Sequence, residues 1–96
     1  MVMGFQWDHE KDRANRRKHG IGFRDAAEIF RGLVLVSEDA RRDYGERRFV
    51  AIGEYDSEVI RVIFTPRGDD FRIISAWKAN TNDRKAYQKA LEVRPL

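Results

Sequence analysis

Between Asp8 and His19 the only apolar residue is Ala14, whereas nearly every residue of VIRVIF (59–64) is apolar. This contrast organises the chain. GFQW (4–7) reads as a short edge strand. Asp8 is an N-cap candidate for a helix running to about His19, with Gly20 as its stop. Asp8, Glu10 and Asp12 open that helix and Arg16, Arg17 and Lys18 close it, as the helix dipole favours. A helix this polar buries little, so its contribution to stability should be small. In FRDAAEIF (23–30), Phe23, Ala26, Ala27 and Phe30 recur at i, i+3, i+4 and i+7, which predicts a helix with a core face.

Strands follow. LVLVS (33–37), RRFVAIGEY (47–55), EVIRVIFT (58–65) and FRIISAWK (71–78) carry the β-branched and aromatic residues of a sheet. They are separated by a polar loop, EDARRDYGE (38–46), a tight turn at Asp56-Ser57 and a second turn over Pro66–Asp69. Thr81 or Asn82 can cap a last helix over roughly 83–92. The expected order is β-α-α-β-β-β-β-α, an α+β domain with an antiparallel meander and about three helices. FVAI, VIRVIF and FRII are apolar on both parities, so both sheet faces need cover. Helices two and three can cover one face, and helix one is a poor cover for the other.

Composition narrows the classes. Ninety-six residues make one domain, 1–96, able to bury one modest core. Nineteen basic against sixteen acidic residues leave a net charge of only +3, which permits a phosphate-bearing or acidic partner without demanding one. Cysteine is absent, which removes disulfides and thiolate chemistry and fits a cytoplasmic location. The first residues, MVMGFQWDHE, show no secretory h-region, and no run approaches a membrane span.

Candidate chemistry is dispersed. Arg61, flanked by Val59, Ile60, Val62 and Ile63, must either pair or reach solvent. Simple hairpin register sets it opposite Ser75 with Trp77 on the same face; Glu54 or Glu58 could instead pair with it. Arg67 lies near a turn, and Arg47, Arg48 and Arg72 flank strand ends. Arg84 and Tyr87 share a face of the last helix. His9 and His19 have no third ligand at a recognisable spacing, so no metal is expected. No phosphate loop, paired-carboxylate site or nucleophile elbow is present. These features fit a phosphate binder and do not separate RNA cleavage from RNA or protein binding. A direct DNA-binding protein fits worse, because no helix-turn-helix or ribbon-helix-helix pattern is visible.

Seven pieces in order resemble one family. They are FQWD (5–8), NRRKHG (15–20), FRDAAEIF (23–30), ERRFVAIG (46–53), VIFTPRG (62–68), RIISA (72–76) and RKAY (84–87). Together they resemble the BrnT family, toxins of bacterial type II toxin–antitoxin pairs. The resemblance implies a small RelE-like domain and a ribonuclease that needs no metal or cofactor and inhibits translation. It implies RNA as substrate and a BrnA-like ribbon-helix-helix antitoxin as partner. That antitoxin carries the DNA contacts of a complex that represses its own operon, and a dimer within the complex is compatible with this. By this resemblance Arg61 holds phosphate, Lys18, His19, Glu46 and Tyr87 are candidates for proton transfer, and Arg47, Arg67, Trp77, Lys78 and Arg84 bind RNA. One departure stands out: after RIISA the family usually places an arginine, and here Trp77 follows. Tryptophan can stack on a base but cannot neutralise a phosphate. The alternative is therefore a weakened or inactive toxin-like module that docks its antitoxin.

Overall fold

The computed structural model describes residues 4–93. The elements are β1 (Gly4–Gln6), α1 (His9–His19), α2 (Phe23–Ala26) continued by a 3-10 turn (Ala27–Arg31), β2 (Leu35–Glu38), β3 (Phe49–Tyr55), β4 (Glu58–Arg67), β5 (Asp70–Lys78) and α3 (Thr81–Val93). The sheet order is β1-β5-β4-β3-β2. The meander β2 to β5 is antiparallel, as its short connections require. β1 joins β5 in parallel, which makes the five-stranded sheet mixed.

Local chemistry sets most boundaries. The Asp8 carboxylate accepts from the Glu10 and Lys11 amides at 2.8 and 3.0 Å, and Gly20 closes α1 in the left-handed region at φ 74°. Asp56 and Ser57 both have positive φ (51° and 65°), the geometry of a two-residue hairpin turn whose twist matches its strands. Several elements differ from expectation. The helix expected over 23–30 is α-helical only through Ala26 and tightens into the 3-10 turn, which buries Ile29 more fully than the expected Ala27 and Phe30. β2 runs Leu35–Glu38 and β3 starts at Phe49, not at 33 and 47. β4 runs on through Pro66 and Arg67, because β3 stops at Phe49 opposite Phe64 and β4 beyond that point is a local edge that tolerates proline. α3 starts earlier: Asn80 is its cap, its side-chain oxygen accepting from the Asp83 amide at 2.8 Å.

The faces also divide differently from expectation. α2 and the 3-10 turn cover one face, where Phe23, Ala26 and Ile29 meet Ala51, Ile60, Val62, Phe64, Ile73 and Ala76. Phe5, Phe30, Phe49 and Phe71 extend this core, with Phe64–Phe71 centroids 4.4 Å apart. Gly53 lets the 3-10 turn approach, since a Cβ there would lie 2.8 Å from Cβ of Ile29. α3 covers the other face, and only at one end: Tyr87 and Leu91 pack with Val59, Ala79, Leu33, Leu35 and Ile52.

α1 lies on neither face. Among the described residues β1 pairs with Asp70, Phe71 and Arg72, and it does not extend along β5 toward Ala76. α1 fills that stretch of the β5 edge through Asn15, its one buried residue. The Asn15 amide donates to the Ala76 carbonyl at 2.8 Å and to the Ile21 carbonyl at 2.9 Å, and its oxygen accepts from the Ala76 amide at 3.2 Å. One side chain thus does for Ala76 what a neighbouring strand would do, and it protects the edge from other chains. Asp12 extends the attachment by accepting from the Phe23 amide at 2.8 Å.

Candidate functional site

The half of the second face that α3 leaves uncovered forms a cleft. Strand alternation puts Arg61 and Ile63 of β4 and Ser75 and Trp77 of β5 on that face. A bulge changes the register here. The hairpin closes at Arg67–Asp70, and one extra residue at Ile74 shifts the pairing. Arg61 therefore stands opposite Trp77, and Ser75 stands opposite Ile63 rather than Arg61. The cleft is about 360 Å³, floored by Ile63, Ile74 and Ser75 and walled by Trp77, Arg48 and the 39–46 loop.

Arg61 has a partner that sequence spacing did not indicate. Its guanidinium donates to Asp83 of α3 at 2.9 Å, in place of Glu54 or Glu58, and the pair is mostly shielded from water. The ion pair marks where the helix-covered part of the face ends. Beside it, the His19 ring lies 6.0 Å from the Trp77 ring, so the end of α1 reaches the β5 edge next to the cleft without lining it. This follows from Asn15 and His19 being four residues apart: pinning one to β5 brings the other over the same strand. Lys18, one residue earlier, is exposed.

The loop and the residue before β3 bring three arginines to the cleft, Arg41, Arg42 and Arg48, whose grouping was not legible as a site. Asp39 is the buried post of the loop, its side chain 1% exposed. It receives two hydrogen bonds from the Arg41 guanidinium, at 2.8 and 3.0 Å, one from the Arg41 amide at 3.4 Å and one from the Tyr44 hydroxyl at 3.2 Å. The Arg41 bonds hold the Asp39 carboxyl below the usual carboxylate range and raise Arg41 in turn. The Arg42 and Arg48 guanidiniums lie over the Tyr44 ring, 5.0 and 4.2 Å from its centroid. Glu46 pairs with Arg48 at 3.1 Å and lies 3.8 Å from Arg67, tying the loop to the end of β4.

Other residues expected at the site are placed elsewhere. Arg47 lies over the Phe49 ring and pairs with Glu38, which holds that carboxyl low. Lys78 stands opposite Ile60, on the other parity from Trp77, and sits 3.5 Å from Glu58. It lines a second cleft of about 310 Å³ with His19, Tyr55 and Asp56. There the Asp25 carboxylate raises the Tyr55 phenol above its ordinary value and keeps it protonated. Arg84 donates to the Ala79 carbonyl at 2.7 Å and the Thr81 hydroxyl at 3.2 Å, both at the start of α3. Tyr87 is 3% exposed in the second core, and its hydroxyl donates to the Leu33 carbonyl at 2.8 Å.

Fold and cleft together define a small α+β domain with one sealed sheet face and one half-open, arginine-rich face. The chain matches the family model described as "Ribonuclease toxin, BrnT, of type II toxin-antitoxin system" over residues 7–83. Among solved structures it is similar to the crystal structure of the Brucella abortus ribonuclease toxin BrnT. The two are 34% identical with a TM-score of 0.66, over 83% of this chain and all of that one. No curated protein matches. The chain belongs to the BrnT family of ribonuclease toxins, and as a type II toxin it implies an antitoxin partner. Among the described residues no helix is long and apolar enough to cross a membrane.

Proposed function

We propose that this chain is an endoribonuclease toxin that cuts RNA in the half-open cleft and thereby blocks translation. The observation that carries the reading is a cleft lined by Trp77 and Arg48 with the His19 ring 6.0 Å from that of Trp77, in a chain of ribonuclease-toxin family. RNA breaks without a metal when a 2′-hydroxyl attacks the adjacent phosphate and the 5′-oxygen of the next nucleotide leaves. The ends formed are a 2′,3′-cyclic phosphate and a 5′-hydroxyl. One group must take the 2′ proton and another must protonate the leaving oxygen, each worth about 10² to 10⁴-fold. Cations must offset the extra negative charge on the phosphorane.

In this scheme His19 is the best-placed proton carrier, since its ring lies 6.0 Å from that of Trp77, which lines the cleft. Lys18 and Glu46 are the remaining candidates for the second proton. Tyr87 acts through packing. Arg61 and Arg67 hold phosphate, with Arg61 released from Asp83 as RNA enters. Trp77 stacks a base. Lys78, Arg47 and Arg84 lie outside the cleft and add positive potential that draws RNA in.

The partner in this reading is a BrnA-like ribbon-helix-helix antitoxin that neutralises the toxin in the cytoplasm and represses the operon with it. DNA is reached only through that complex, in which the toxin can sit as a dimer. A second reading has one observation in its favour. Trp77 stands where the family places an arginine, and the Arg61 opposite it is already matched by Asp83. Positions 61 and 77 then supply no uncompensated cation, and the chain is a weakened toxin that docks its antitoxin.

Induced expression separates the two, using wild type and Trp77→Arg, each with and without the antitoxin. Growth arrest by wild type, relieved by the antitoxin, supports the toxin reading. Arrest by Trp77→Arg alone supports the weakened reading. Arrest by neither contradicts RNA cleavage in this cleft.

A further inference from the structure

We infer that the 39–48 loop is a separate phosphate clamp for single-stranded RNA, gripping the nucleotide next to the base stacked on Trp77. It uses the proposed ribonuclease reading only for its choice of RNA.

The loop carries four arginines, at 41, 42, 47 and 48. Three are matched by carboxylates: Arg41 by Asp39, Arg47 by Glu38 and Arg48 by Glu46. Among the described residues Arg42 has no carboxylate partner, yet it is not left to wander. It lies over the Tyr44 ring, and the Tyr44 hydroxyl is fixed by the buried Asp39. A guanidinium held over a ring keeps its in-plane N–H donors pointing outward, and those donors match phosphate oxygens. Arg48 is held over the same ring from the strand side and borders the same cleft. Two guanidiniums on one aromatic support, beside a tryptophan, form a receptor for a phosphate with an unpaired base next to it. A duplex keeps its bases stacked and offers none to Trp77. An acidic peptide would bring carboxylates but nothing to stack on Trp77. In this device Asp39 is a positioning residue: it touches no RNA and sets where Tyr44 and Arg41 stand.

The test is binding of a fully 2′-O-methylated single-stranded oligonucleotide, which cannot be cut by 2′-hydroxyl attack, measured across a range of salt. The proteins are wild type, Arg42→Gln, Tyr44→Phe and Tyr44→Leu. Each phosphate contact to a single strand contributes about 0.7 to the slope of log affinity against log salt. Arg42→Gln, at an exposed position, should lower that slope by about 0.7 and weaken binding several-fold. Tyr44→Leu should weaken binding about tenfold by removing the support of both arginines, and Tyr44→Phe, which keeps the ring, should lose less. A matched duplex should bind more weakly than the single strand.

An unchanged slope in Arg42→Gln, with wild-type affinity in Tyr44→Leu, would overturn the clamp and leave the ribonuclease reading intact. Tight binding of the methylated strand, clamp-dependent but with no cleavage of ordinary RNA, would support the clamp and overturn the ribonuclease reading. Preference for an acidic peptide over the strand would overturn RNA as the ligand.

Discussion

The face carrying Ile60, Val62 and Phe64 is sealed by α2 and the 3-10 turn, and Phe23, Ala26 and Ile29 there are at most 1% exposed. The face carrying Val59, Arg61 and Ile63 is sealed by α3 only as far as Arg61 and Asp83, and beyond them it is walled by arginines, Tyr44 and Trp77. Both faces are cut from the same strands. On the sealed side positions are chosen by shape, and a missing methyl leaves a void. On the half-open side positions are chosen by charge, and the neighbours are ion pairs that a substrate can exchange. The first side should govern stability and the second should govern function.

The largest expected effect breaks the sealed side. Ile29→Ala should cost about 2–5 kcal/mol of unfolding free energy in a denaturant titration, because the void under Gly53 cannot collapse fully. Next is the edge between the faces. Asn15→Ala leaves the Ala76 amide and carbonyl unpaired and should cost about 2 kcal/mol. It should also move His19 away from Trp77, visible as altered tryptophan fluorescence.

Asp39→Asn should cost about 1 kcal/mol at neutral pH, discounted because Arg41 is 60% exposed. Its sign with pH follows from the depressed carboxyl. A folded-state pKa below the unfolded value contributes stability that is present above about pH 4 and is lost as pH falls through the folded pKa. Wild type should therefore lose stability below about pH 4, and Asp39→Asn should show a shallower acid loss in melting curves.

Two smaller changes sharpen the contrast. Asp56→Asn with Ser57→Gly relieves two positive-φ residues and should stabilise by up to about 1 kcal/mol. Arg42→Gln on the half-open face should change stability by less than about 0.5 kcal/mol while weakening RNA binding.

The fold was legible because its signals were local. Caps at Asp8 and Gly20 and the Asp56-Ser57 turn each mark an element without reference to the rest of the chain. The period of FRDAAEIF marked a helical segment but not its tightening to a 3-10 turn, which turns Ile29 into the core. Pro66 misled because a proline reads as a break unless the end of β3 is known. The site was legible only in pieces. Trp77 and Arg61 were placed together by alternation, but the Ile74 bulge, which decides their pairing, leaves no mark in RIISA. The Asp39–Arg41–Tyr44–Arg48 grouping depends on a loop folding back over β5, and in sequence it reads as a solvated polar stretch. The polar first helix was the strongest puzzle. Its answer, an amide pinned to a strand edge, has no hydrophobic signature to find.

The most direct measurement is cleavage of a defined RNA by the purified chain in the presence of a chelator, with the new ends identified, beside His19→Gln. The account predicts 5′-hydroxyl fragments from wild type and at least a 10²-fold slower reaction from His19→Gln, with an unchanged melting temperature. Cleavage by His19→Gln at the wild-type rate would contradict it, and so would RNA that is bound by wild type and left whole.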